Sequence, residues 1–280
     1  MQLFLQAGEK RQLLISLKES DFKLEEVEVE VEQNRDKPME SIDPKNLKYV
    51  PNPSGNFEAV IKTLPGVYSN NELTSQYNVR GGNFDENLVY VNDIEVYRPF
   101  LTRSGNQEGL SFINADMVDN IDFSAGGFEA RYGDKMSSVL AVTYRRPKEF
   151  GGTVSGSLQG GSLHVEGRSK DARLTFINGV RYHTNRYVLG SLDTDGDYRP
   201  TFVDAQTFVT YNLSEKWELS FLGNYARNKY EFVPETRETS FGTIQQALKL
   251  TIFFEGQEVT DFETYFGAFS ANFKPKHLTF

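Results

Sequence analysis

Apolar and polar positions follow two different patterns along the chain, and the change falls near residue 147. After it the alternation is strict. Val154, Gly156 and Leu158 alternate with Ser155, Ser157 and Gln159, and Leu163 and Val165 with His164, Glu166 and Arg168. Leu174, Phe176, Val180 and Tyr182 oppose Arg173, Thr175 and Arg181; Val203, Ala205, Val209 and Tyr211 oppose Asp204, Gln206 and Thr210. Trp217, Leu219, Phe221 and Tyr225 oppose Glu218, Ser220 and Asn224, and Tyr265, Phe269, Ala271 and Phe273 make a sixth segment. Period two predicts strands with one apolar and one polar face. Aromatic residues near the strand ends suit a lipid-facing wall. Short turns at 169–171, 213–216 and 274–277 alternate with long polar connections at 183–201 and 231–260. A soluble sandwich would carry short turns throughout and bury its Trp, whereas a membrane barrel has short turns at one end and long loops at the other.

Before residue 147 the periods are mixed. Ser54 is placed to cap a helix in which Phe57, Val60, Ile61 and Leu64 recur at helical spacing until Pro65-Gly66 ends it. Segments 77–80, 88–91, 94–97, 118–123 and 137–144 read as strands, with turns at Gly81-Gly82-Asn83, Asn92-Asp93 and 124–127. Asn114 can cap a single helical turn. A small mixed α/β domain over residues 40–146 accounts for these elements. Upstream, 12–17 reads as a short strand followed by a charged link at 18–23. Residues 24–31 then alternate Val with Glu, as a strand does. Its glutamates would repel an acidic neighbour, so it is either a solvated acidic linker or an extended segment donated to a partner's sheet edge. Pro38, Pro44, Pro51 and Pro53 break the chain behind it.

Composition narrows the function. The 30 Lys+Arg against 39 Asp+Glu give a net charge of −9, which argues against a nucleic-acid partner. With no cysteine, disulfide scaffolds, thiolate catalysis and Cys-ligated zinc are excluded. Aromatics make up 13% of the chain although mean hydropathy is −0.50, a pairing natural to strands that are apolar outside and polar inside. His164, His183 and His277 lack paired ligand spacing, and no catalytic triad, phosphate loop or dinucleotide fingerprint is present, so neither an enzyme nor a cofactor is expected. Asp193, Asp195 and Asp197 space their carboxylates like part of a calcium loop but lack its downstream Glu, which makes them a weak candidate.

Six blocks occur in order: Leu64-Pro-Gly-Val67, Tyr77-Asn-Val-Arg-Gly-Gly82, Asn87-Leu-Val-Tyr-Val-Asn-Asp-Ile94, Phe112-Ile-Asn-Ala-Asp-Met117, Gly126-Gly-Phe-Glu-Ala-Arg-Tyr-Gly133 and Ser137-Ser-Val-Leu-Ala-Val142. Together they resemble the plug domain of TonB-dependent outer-membrane receptors of the type common in the Bacteroidetes. The resemblance implies an α+β plug domain followed by antiparallel all-β transmembrane barrel strands, an incomplete barrel. It assigns 1–23 to the end of a carboxypeptidase-regulatory-like β domain, 24–39 to a TonB-box-like segment and linker, 40–146 to the plug and 150–280 to the first part of the barrel. Its candidate TonB box is Glu26, Val27, Glu28, Val29 and Glu30, where Glu28 and Glu30 replace the usual Val and Thr. Its plug motif is Arg80, Gly81, Gly82, Asn92, Asp93, Gly126, Gly127, Tyr132, Gly133 and Ser137, with structural and gating roles. Arg80, Arg131, Arg145 and Arg146 are expected to pair with acidic residues, inside the surrounding wall.

Two functions follow from the resemblance. One is plug-gated uptake of a scarce ligand (a siderophore, cobalamin, glycan or peptide) across the cell outer membrane, energised by the TonB C-terminal domain and, through it, ExbB–ExbD. The other is a surface receptor or docking component without transport. The expected partners are TonB, an extracellular ligand, outer-membrane lipid and a surface lipoprotein, with the N-terminal segment in the periplasm. Met1 is followed by no signal-peptide pattern and 278–280 reads as a strand barely begun, so the expectation is a chain cut at both ends.

Overall fold

The computed structural model describes residues 39–44, 57–69, 75–99, 110–189, 196–234, 236–243, 246–253 and 255–274. In chain order its first elements are β1 (Glu40–Ile42), α1 (Glu58–Ile61), β2 (Val67–Tyr68), β3 (Asn78–Val79), β4 (Asn87–Val91), β5 (Ile94–Glu95), β6 (Val118–Ser124) and β7 (Ser138–Tyr144). They build a five-stranded sheet in the order β1-β6-β7-β4-β5, with β4 and β7 parallel and the other pairs antiparallel, plus the small β2–β3 ladder. Phe57, Val60 and Ile61 press α1 onto Val79, Val91, Ile121 and Val142 in one buried cluster.

The helix is shorter than its periodicity predicts. The N–H groups of Thr63 and Leu64 bond three residues back, to Val60 and Ile61 at 3.0 Å each, tightening the last turn just before Pro65 stops it. Ser54 lies outside the described residues. Asn92 and Asp93 both take positive φ, at 51° and 63°, the geometry that lets a two-residue turn match the twist of β4 and β5. The Asn114 side chain accepts from the Asp116 N–H at 3.1 Å and caps a single 3-10 turn, Ala115–Met117.

The second part comprises β8 (Gly151–Ser157), β9 (Gly160–Arg168), β10 (Leu174–His183), α2 (Arg186–Leu189), β11 (Gly196–Asn212), β12 (Trp217–Pro234), β13 (Arg237–Thr243), β14 (Gln246–Ile252) and β15 (Glu258–Phe273). Six of these strands form one antiparallel sheet ordered β15-β12-β11-β10-β9-β8. Among the described residues no helix is long and apolar enough to cross a membrane.

The connection expected to be a plain loop at 231–260 instead contains the β13–β14 hairpin, and β11 and β12 run well past their predicted ends. The reason is an inversion of polarity. Up to Tyr225 the outward side chains of β12 are Trp217, Leu219 and Phe221; beyond it they are Arg227, Lys229 and Glu231, while Tyr230 turns inward and is buried. An alternation that swaps sides no longer reads as one strand.

The apolar band on the outer face has aromatic margins. Trp217 meets Phe273 at 5.0 Å between ring centroids at one margin, and Tyr225 meets Tyr265 at 5.1 Å at the other. Outside the second margin Arg227 pairs with Asp261 at 2.7 Å. Eight residue steps of ~3.3 Å, tilted by ~40°, give a band of about 20 Å, close to the height of a barrel's lipid-facing belt. Phe221 lies at its middle. In the intact barrel, Phe221→Arg should destabilise the fold by about 2–4 kcal/mol, read as a shifted unfolding midpoint in lipid bilayers, whereas Lys229→Ala beyond the margin should shift it little.

Candidate functional site

The inner face of the six-stranded wall carries a buried polar cluster aimed at the small domain. Arg181 on β10 and Asp204 on β11 are register partners, and the guanidinium Nε donates to Asp204 Oδ1 at 2.7 Å. The Asp204 side chain is 0% exposed and that of Arg181 11%. Asp204 Oδ2 accepts from Asn224 Nδ2 at 2.9 Å and from Gln206 Nε2 at 3.1 Å. Arg181 uses its remaining nitrogens on the small domain, donating to the carbonyls of Ile113 at 2.9 Å and Ser111 at 2.8 Å. Gln206 Nε2 donates to the carbonyl between them, that of Phe112, while Gln206 Oε1 accepts from the Tyr144 hydroxyl at 2.8 Å. The carbonyls of residues 111, 112 and 113 are thus all held by two wall side chains.

Around this latch the surfaces close up. A Cβ on Gly179 would lie 2.3 Å from Asn114 Nδ2 and 3.2 Å from Met117 Sδ, so any larger residue there would have to displace those two side chains. Ile177, Phe208 and Leu222 of the wall join the same buried cluster as Ile113, Met117 and Tyr144, and Phe112 packs edge-on against Phe266 at 5.1 Å. Further out, Ser162 donates to Asp116 at 2.8 Å and Arg145 meets Glu166 at 3.2 Å. Arg146 forms a two-pronged pair with Glu218 at 2.9 and 2.7 Å, and Lys274 adds a bond to the same carboxylate at 2.8 Å.

Behind the latch lies Glu58 of α1, 2% exposed. Burial away from water pushes its carboxyl up from 4.5 to about 7, with the Ser111 side chain and the Arg181 charge pulling it part of the way back. Its Oε2 has no hydrogen-bond partner.

The motif residues of the small domain gather in two places. Arg80 and Gly81 have φ of 49° and 84°, and the Arg80 side chain runs between Gly66 and Gly126. Gly82 leaves the space that Ser137 fills: a Cβ there would sit 1.8 Å from the Ser137 hydroxyl, which donates to Glu86 at 2.9 Å. At the far end of β4, Asn92 Oδ1 accepts from the Tyr144 N–H at 2.9 Å. Asp93 faces Arg131 at 3.8 Å, and Tyr132 packs against Tyr90 at 5.1 Å. Gly127 and Gly133 border open space.

Arg145 and Arg146 reach the wall; Arg80 and Arg131 do not. Arg131 pairs within its own domain with Glu129 and Asp93, and Arg80 has no carboxylate partner among the described residues. Glu26, Val27, Glu28, Val29, Glu30, Asp193 and Asp195 lie outside the described residues. Asp197 is taken by Arg199 at 2.7 Å, and no metal-holding group of carboxylates and histidines occurs among the described residues. Gln206, Asn224 and the 111–113 carbonyls carry the latch without having been singled out in the sequence; the only signal was that Gln206 and Asn224 fall on the polar face of strands whose other face is apolar.

The sequence pattern of the TonB-dependent Receptor Plug Domain family matches residues 31–139. The chain carries a TonB-dependent receptor plug domain. Among curated proteins no sequence matches it. The outer membrane transporter YddB from Escherichia coli matches in structure with a TM-score of 0.56 and 11% identity, over 84% of this chain and 36% of that one, which shows a shared plug-and-barrel fold. The ferric enterobactin receptor PfeA from Pseudomonas aeruginosa, in complex with enterobactin, matches at 0.49 with 16% identity, over 69% of this chain and 33% of that one. The siderophore receptor PirA from the same organism matches at 0.47 with 15% identity, over 81% and 41%. The chain spans between 33% and 46% of the length of these solved receptors and the related PirA of Acinetobacter baumannii. The small domain thus corresponds to the plug, and the six-stranded sheet shares the fold of part of a receptor's barrel wall.

Two outcomes follow. Asp204→Ala strands the buried Arg181 charge and should cost about 3–5 kcal/mol, seen as a lowered thermal midpoint together with faster proteolysis of the plug. The Glu58 carboxyl, held above its unfolded value, stabilises the plug most fully below pH 4.5 and loses that advantage as pH rises through about 7. The loss amounts to at most about 3 kcal/mol. The thermal midpoint should therefore fall between pH 5 and pH 8, and Glu58→Gln, which keeps the shape without the proton, should flatten the slope.

Proposed function

We propose that the chain forms the plug and first wall strands of a TonB-dependent transporter in the cell outer membrane, which takes up an extracellular ligand with energy delivered by TonB and the ExbB–ExbD motor. In this reading 1–23 ends a carboxypeptidase-regulatory-like domain, 24–39 is the periplasmic coupling segment, 40–146 the plug and 150–280 the start of the barrel. The supporting observation is the latch, in which one Arg and one Gln of the wall hold three successive plug carbonyls.

The path of force follows from the plug's topology. A pull on the coupling segment arrives first at β1, an edge strand that pairs with β6, among the described residues, through Glu40 with Phe123, Ser41 with Asp122 and Ile42 with Ile121. The next elements back along the chain from β6 are the 3-10 turn and the 111–113 segment gripped by the wall. Peeling β1 unloads one side of β6 and transmits strain to the latch. An opened latch exchanges carbonyl–guanidinium bonds for bonds to water, at a smaller net cost than exposing an apolar joint of the same size.

TonB would take the extended segment at Glu26, Val27, Glu28, Val29 and Glu30 as an added strand, with main-chain bonds supplying affinity and Val27 and Val29 filling alternate pockets. Proline at position 29 removes one N–H and fixes φ. Val29→Pro in the full-length receptor should therefore cut ligand-dependent growth at least on the order of tenfold at normal surface abundance and ligand affinity. Growth at the unmutated rate would make the segment an acidic linker and move the coupling site elsewhere.

A further inference from the structure

The segment that the wall grips has a second neighbour, inside the plug. Leu110, Ser111, Phe112 and Ile113 are each at most 5% exposed, so the segment is enclosed on both sides. On the wall side the Ser111 carbonyl accepts from Arg181 at 2.8 Å; on the plug side the Ser111 side chain hydrogen-bonds the Glu58 carboxyl. One residue thus stands between a buried cation and a buried acid. Glu58 has apolar surroundings: Phe57, Val60 and Ile61 beside it on α1 belong to the cluster that also holds Ile113 and Tyr144. It is 2% exposed, and its Oε2 has no hydrogen-bond partner. A neutral carboxyl tolerates a bare oxygen in such a place far better than a carboxylate does.

The charges around Glu58 do not suffice to hold it ionised. Arg181 of β10 acts on it, but Asp204 of β11 already pairs with that guanidinium at 2.7 Å. Lys62, at the end of α1, is the second cation. Tyr77, just before β3, and Tyr144, at the end of β7, face it with phenols that burial keeps protonated. Burial therefore outweighs attraction, and the carboxyl titrates at about 7 rather than 4.5. Its proton stays only while water is kept out, and the 111–113 segment covers it.

We propose that parting the 111–113 segment from the wall releases the Glu58 proton, so that pH sets how readily the plug opens at the latch. The carboxyl O–H is the one covalent bond that breaks; its electron pair stays on the hydrated carboxylate and the proton passes to solvent. Below pH 4.5 the carboxyl is neutral in both arrangements, and opening is indifferent to pH. Between 4.5 and about 7 each opening frees a proton, so rising pH favours the open arrangement; above about 7 both arrangements are ionised. From pH 5 to pH 8 the open fraction should rise by on the order of fiftyfold. The inference needs neither TonB nor a ligand, because thermal opening and a pull meet the same proton.

The test uses the full-length receptor in lipid bilayers. Amide hydrogen exchange at 111–117, divided at each pH by the rate of an unstructured peptide of the same sequence, reads the open fraction. It should rise by that factor in the unmutated protein and stay level in Glu58→Gln, while the amides of β4 and β7 keep their protection. The infrared band of a neutral buried carboxyl, assigned with isotope-labelled glutamate, should be present at pH 6 and vanish as pH rises through about 7. That band needs no substitution, so it decides the matter if Glu58→Gln does not fold. A level exchange profile in the unmutated protein overturns the inference, as does an equal slope in Glu58→Gln. So does a β4 and β7 protection that falls along the same slope, or an infrared band already absent at pH 6. A merely structural Glu58 would alter protection by one factor at every pH.

Discussion

A guanidinium removed from water needs an acceptor for each nitrogen it buries, and the Arg181 side chain finds them on both bodies at once. Asp204 takes Nε from within the wall, and the Ser111 and Ile113 carbonyls take the two terminal nitrogens from the plug. Strand register and plug position are therefore one constraint. If β10 slipped by a single residue, Arg181 would turn toward lipid and Asp204 would be left buried and alone. Asn224 and Gln206 occupy the second Asp204 oxygen, so β12 is tied into the same arrangement.

The joint combines two kinds of contact with different consequences. Ile177, Phe208 and Leu222 continue the plug's own apolar cluster into the wall, which gives cohesion without direction. The latch supplies direction, because carbonyls at 111–113 accept only along defined lines. Were plug and wall to part, the polar bonds could be handed over to water one at a time, while the apolar contacts would separate only once the segment moved. Glu58 and the unpartnered Oε2 sit directly behind that segment, so its protonation acts on the part of the plug the wall holds.

How much of this was legible in the sequence depended on whether a residue advertised its role through its side chain. Arg181, Asp204 and Glu218 oppose Phe176, Val209 and Phe221 at period two, and the alternation alone sends them inward. Phe112 and Ile113 stand in one of the blocks that carry the resemblance, but their part in the latch, like that of Ser111, runs through the backbone, which every sequence has. Arg145 and Arg146 stand close before the first wall strand and reach Glu166 and Glu218. Arg80 and Arg131 carry the same charge but sit where the plug's own glycines and acids surround them. Charge type was visible in the sequence; which body each charge faced was not.

The inversion of polarity past Tyr225 links composition to architecture. Within the belt, β12 shows lipid its aromatic side and turns Glu218, Ser220 and Asn224 toward the plug; past the belt, it shows solvent Arg227 and Lys229 and turns Tyr230 and Phe232 inward. One strand thus crosses two environments without breaking its ladder, since β11 and β15 stay paired with it throughout. Aromatics are spent twice, once on membrane margins and once on the wall above the plug, and charges fill the faces between. A chain can therefore be rich in Phe and Tyr yet polar on average. The residue at which outward Tyr gives way to outward Arg marks the margin of the outer apolar band.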